Sequence, residues 1–202
     1  MLTAMSTNDE NLTQLPRSPE LMASGDTALL VVDVQEKLIG LIPEHQRIVW
    51  NIRRLLDGAQ TLGVKVLATE QYPQGLGRTV PELLLKLGDV PDKVTFSCRG
   101  CAEPFEELQQ QGVFRVLVTG IESHVCVQQT VLDLLASGFR VYLAVDAIGA
   151  RGELDHEIAL RRMESAGATL TTTEAALFEW CQTAGRPEFK QISALVKEKP
   201  PE

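Results

Sequence analysis

The cysteine within Gly120-Ile121-Glu122-Ser123-His124-Val125-Cys126-Val127 is the residue of this chain best placed to do chemistry. It follows an apolar run, 113–120, and stands at the start of a helix-like segment, 127–136. At such a strand-to-helix junction, backbone N–H groups and the positive end of the helix dipole favour a thiolate. A thiolate attacks acyl carbon, so the junction suits hydrolysis of an acyl carbon–nitrogen bond. Two more residues are spaced to help. Asp33 closes the apolar run 28–32, and Lys93 lies at the start of a weaker apolar stretch, 92–96. The carboxylate can take the thiol proton and later return it to a leaving amine, while the ammonium holds both anions by charge. With a cation and a helix start beside it, the cysteine pKa is expected to fall from about 8.5 to roughly 3.5–7.5.

Residues so far apart in sequence need a scaffold that gathers them. Short apolar runs at 28–32, 64–69, 92–96, 114–120, 140–145 and 168–171 read as strands. Helical patterns over 43–62, 81–87, 104–111, 126–138, 153–166 and 173–181 alternate with them. Repeated βα units predict an α/β fold, a parallel sheet with helices on both faces. Ligands of such sheets bind beyond the carboxyl ends of the strands, where Asp33, Lys93 and Cys126 all fall. One domain is expected over 26–184. A polar extension, 1–25, is expected to be flexible or loosely docked, and 185–202 to form a peripheral helix or tail.

Bulk properties narrow the function further. The 202 residues, 44% hydrophobic and 23% charged, suit one globular domain. A formal charge of −8 opposes nucleic acid or an anionic membrane as the partner. No apolar run is long enough to cross a bilayer, and the first 25 residues lack a signal-peptide core, so a cytoplasmic protein acting on a small molecule is expected. The four cysteines, Cys98, Cys101, Cys126 and Cys181, read as free thiols. Cys98-Arg99-Gly100-Cys101 imitates a zinc or redox motif but has no second ligand pair at suitable spacing, and reads as a structural loop near the site mouth. Gly75-Leu76-Gly77 is a turn rather than a phosphate loop, and His124 reads as a support for its loop rather than a base. Gln71, Tyr72 and Phe96 are candidates to line the substrate pocket.

Three segments carry a resemblance. Val31-Val32-Asp33-Val34-Gln35, then Lys93-Val94-Thr95-Phe96-Ser97, then Gly120 to Val127 with Gln129-Thr130, resemble the signature regions of the isochorismatase-like cysteine hydrolases, over nearly all of 27–181. The resemblance implies a six-stranded, mostly parallel Rossmann-like sheet in a three-layer sandwich and an Asp33–Lys93–Cys126 triad. It also implies a non-proline cis peptide at Ile121–Glu122, with the N–H groups of Glu122 and Cys126 as the oxyanion hole. The chain departs from the nicotinamidases of this superfamily. Glu36-Lys37-Leu38 stands where they carry Asn-Asp-Phe, and Thr69-Glu70-Gln71-Tyr72-Pro73 lacks their metal-binding histidines. His45, His124 and His156 do not cluster in sequence. No metal and no cofactor are therefore expected, and the likeness is to the metal-free, oligomeric YcaC-like subgroup, which implies a homo-oligomer. The cysteine at 126 disfavours isochorismate-type vinyl-ether cleavage. A non-catalytic, electrophile- or oxidant-sensing assembly that retains the triad is the alternative to an amidase.

Overall fold

Ala28, Leu30 and Val32 point to one side of the first strand and Leu29 and Val31 to the other, and all five are buried. This strand, β1 (Thr27–Val32), thus divides two apolar cores, as a central strand covered by helices on both faces must. The computed structural model describes residues 15–201. After β1 come a single turn α1 (Glu36–Ile39), α2 (His45–Leu62), β2 (Lys65–Gln71), α3 (Pro73–Leu76), α4 (Pro81–Leu87) and β3 (Asp92–Lys93). A 3-10 turn, Cys98–Cys101, leads to α5 (Glu103–Gln110) and β4 (Arg115–Ile121). A π-helical turn, Ser123–Val127, then opens into α6 (Gln128–Ala136), followed by β5 (Arg140–Gly149), α7 (Glu153–Ser165), β6 (Thr169–Thr171), α8 (Thr173–Cys181) and α9 (Phe189–Val196).

The six strands form one sheet in the order β3-β2-β1-β4-β5-β6, every pairing parallel. The order reverses between β1 and β4, which leaves a crevice at their carboxyl ends. Side-chain alternation carries through the sheet. Leu117 and Tyr142 join the core under α2, α8 and α9, whereas Val116, Val118, Val141 and Leu143 join the one under α5, α6 and α7.

Three elements differ from expectation. The third strand is two residues long instead of 92–96, because the chain turns after Lys93 and points the Thr95 and Phe96 carbonyls back at the Lys93 ammonium. The segment at Cys126 starts as a π turn, the Val127 N–H reaching the Glu122 carbonyl at 3.2 Å, and regular α-helix begins only at Gln128. The extension expected over 1–25 is pinned in its described part. Arg17 donates to the carbonyls of Met22 and Glu179, Met22 is fully buried, and the Tyr142 hydroxyl donates to Glu20 O. Residues 1–14 lie outside those described.

Gly120 shows how tightly the crevice is built. Its φ is +110°, and a Cβ there would stand 2.1 Å from the Val32 carbonyl oxygen. Only glycine lets β4 and β1 approach at the point where both strands hand over to the site. Gly120→Ala is expected to lower stability by about 3 kcal/mol, from strain at positive φ plus a backbone clash, as read by urea denaturation. A variant as stable as the parent would contradict this packing.

Candidate active site

Asp33 follows β1 directly and takes a left-handed backbone conformation, φ 52°, which aspartate tolerates better than most residues. Its N–H donates to the Thr69 carbonyl (3.1 Å), since the parallel register sets Thr69 opposite Val32. Its side chain is fully buried. Lys93, from β3, reaches over the end of β2 and places Nζ 2.7 Å from Asp33 Oδ2. The ammonium also donates to Gln71 Oε1 (2.9 Å), Phe96 O (3.0 Å) and Thr95 O (3.2 Å). Four acceptors surround three protons, so Lys93 is held fast and wholly engaged inside the protein. The other carboxylate oxygen, Asp33 Oδ1, accepts the Thr69 hydroxyl at 2.8 Å.

Cys126 sits in the π turn after β4 and is buried. Burial, then the negative charge of Asp33, push its thiol well above the ordinary cysteine range; Lys93 opposes this, and hydrogen bonding to Asp33 adds to it. The pKa depression expected from the cation and the helix start is thus reversed. Lys93 spends its field on Asp33, and a buried sulfur beside a carboxylate is cheaper as S–H than as S⁻. The resting arrangement is a thiol beside an ion pair.

The loop between β4 and Cys126 has its own fastening. The Ile121–Glu122 peptide is cis. Glu122 Oε2 accepts the Arg151 backbone N–H (3.1 Å) and Nε (3.0 Å). Burial works against the Glu122 charge, but the Arg151 hydrogen bonds outweigh it and hold the carboxyl below its ordinary value. Ser123, fully buried, meets His156 Nδ1 at 3.2 Å.

Of the expected pocket residues, Gln71 is a buried ligand of Lys93, whereas Tyr72 and Phe96 are about half exposed. Gln35 was not singled out from sequence, yet it stitches the crevice. Its Nε2 donates to Gln71 O (3.0 Å) and Gly77 O (2.6 Å), and its Oε1 accepts the Gln71 N–H (2.7 Å). Thr69 was missed as well. A cavity of about 500 Å3 opens one strand over, at the end of β5, between Arg47, Ile48, Asp146 and His156, and contains none of the three central residues. Among the described residues all four cysteines are free, and no cluster of three or more His, Cys, Asp or Glu side chains could hold a metal ion. No described helix is long and apolar enough to cross a membrane.

Comparison with known proteins shows what the chain is similar to. The family model described as Isochorismatase domain matches residues 27–175. The human protein named Isochorismatase domain-containing protein 2 is 40% identical over 179 residues, 88% of this chain and 86% of that one. A Caenorhabditis elegans structure described as MAR1 ribonuclease superposes with a TM-score of 0.84 at 39% identity, covering 90% of this chain and 95% of that one. The Escherichia coli YcaC product, described as an octameric hydrolase of unknown specificity, shares the fold at 24% identity, with a TM-score of 0.77 over 90% of this chain and 89% of that one.

Proposed function

The chain belongs to the isochorismatase-like hydrolase family, and from that premise we propose that it is a cysteine hydrolase cleaving a small amide or related acyl C–N bond through a thioester on Cys126. The observation that carries this reading is the buried Asp33–Lys93 pair at 2.7 Å with the Cys126 thiol beside it, at the point where the strand order reverses.

Asp33 takes the thiol proton as Cys126 Sγ bonds to the substrate carbonyl carbon. Because the resting sulfur is protonated, this transfer accompanies attack and does not precede substrate binding. The N–H groups of Glu122 and Cys126 hold the developing oxyanion, each such donor being worth about 3 kcal/mol of barrier. The tetrahedral adduct collapses, the C–N bond breaks, and ammonia or an amine leaves with the proton from Asp33. Water then attacks the thioester, giving a proton to Asp33; the acid departs and that proton returns to the sulfur. Lys93 touches no substrate in this scheme. It pairs with Asp33 Oδ2 and aims the carboxylate, with Gln71 and the two carbonyls fixing the ammonium.

The site's depth suits a small substrate. The ribonuclease description belongs to the C. elegans protein; for this chain, a formal charge of −8 and a fully engaged active-site lysine both oppose a polyanionic substrate. A homo-oligomer completes the proposal, supported by the largely exposed Leu85 and Val94 on the side of the sheet that carries β3. Ammonia release from a panel of small primary amides tests the activity. Turnover of at least one amide, absent from RNA under the same conditions, is the expected result. Inertness toward every amide would overturn it.

A further inference from the structure

A second thiol reaches Asp33 through Thr69. Thr69 Oγ1 is 2.8 Å from Asp33 Oδ1 and 3.3 Å from Cys98 Sγ, and all three side chains are buried. A threonine hydroxyl has one proton. An ionised carboxylate only accepts, so that proton points at Asp33. The Thr69–Cys98 contact must then run the other way, with the S–H donating to Thr69 Oγ1. Cys98 is set for this. Its backbone N–H donates to Thr130 Oγ1 (2.9 Å), which anchors the 3-10 turn on α6. Burial, with the Asp33 charge adding to it, pushes its thiol up to about 11, so it stays a neutral donor.

We propose that Thr69 and Cys98 are positioning residues that form a one-way donor relay, Cys98 S–H to Thr69 O–H to Asp33 Oδ1, which fixes the rotamer and the basicity of the catalytic carboxylate. The proposal rests on Asp33 being the base of the amidase reaction above. Each face of the carboxylate then has its own task. Lys93 holds Oδ2 and the relay holds Oδ1, which leaves acceptor capacity on both oxygens for the proton of the nucleophile. The relay also gives the Cys98 of the Cys98-Arg99-Gly100-Cys101 motif a use that needs neither metal nor disulfide. The titratable groups facing Asp33 among the described residues are Lys93 from β3, Cys126 from the π turn, and Cys98 and Cys101 from the 3-10 turn.

Removing a donor from a carboxylate makes it easier to protonate. Thr69→Val, nearly isosteric, is expected to move the acid limb of kcat/KM to higher pH by about one unit and to lower its plateau by roughly 10- to 100-fold, the range for a hydrogen bond to a charged group. Thr69→Ser should restore both. Cys98→Ala should shift the limb in the same direction by less, and Cys98→Ser should keep it in place. A second readout needs no substrate. In the infrared S–H stretching region, the band lost in Cys98→Ala should lie at the low frequency of a donating thiol and should rise in Thr69→Val. An unmoved acid limb in Thr69→Val, or a Cys98 S–H band indifferent to residue 69, would overturn the relay. Wild-type protein that turns over no amide while the S–H band still responds to Thr69→Val would overturn the amidase reading and leave the relay standing.

Discussion

Cys126→Ala is expected to lower amide turnover by roughly 10^4- to 10^6-fold, the scale on which removing a covalent nucleophile acts. The loss should appear in kcat with the fold intact. The alanine deletes one buried sulfur, and by the area it covers the cost in stability is about 1 kcal/mol. Cys126→Ser is the sharper probe, because it keeps an O–H where the S–H was. Asp33 is then asked to deprotonate a far weaker acid, so the serine enzyme should stay within about tenfold of the alanine one. Steady-state kinetics on the best amide of the panel reads both. A variant lacking the sulfur that keeps more than a hundredth of the parent activity would mean that the bond is broken by another group.

The second large effect concerns stability. Asp33 and Lys93 are an ion pair with side chains 0% and 1% exposed. Taking one partner from such a pair strands the other charge in the interior, which typically costs 3–5 kcal/mol, whereas replacing both costs much less. Lys93→Met should therefore lose about 3–5 kcal/mol by urea denaturation, and Asp33→Asn combined with Lys93→Met should recover most of that deficit. Activity should not follow stability. The double variant has no base and should be as inactive as Asp33→Asn alone. A Lys93→Met protein as stable as the parent would show that water or another cation compensates the Asp33 charge.

The sheet was legible because β1 and β4 carry apolar runs, 28–32 and 116–118, whose alternate residues enter different cores. Asp33 was legible because it directly follows such a run, and Cys126 because it is the one thiol in the strand-to-helix junction after β4. Lys93 was harder, since a strand of two residues leaves almost no pattern. Thr69 and Gln35 had no signal as site residues, and Gln71 was read as lining a pocket rather than as a ligand of Lys93. Their roles arise from the register that sets Thr69 opposite Val32 and Gln71 opposite Lys93, and strand neighbours are not encoded locally. The thiol was read with the wrong sign for a related reason. A helix start and a cation are visible in sequence, but burial beside a carboxylate is a property of the assembled crevice, and it dominates.

The most direct test is to mix the protein with the best amide of the panel, quench in acid during the first turnovers, and determine intact mass followed by peptide mapping. The expected result is a mass increase equal to the acyl group, carried by the peptide containing Cys126 and missing from Cys126→Ala. Turnover with no acyl adduct at any quench time, or an adduct that persists in Cys126→Ala, would contradict it.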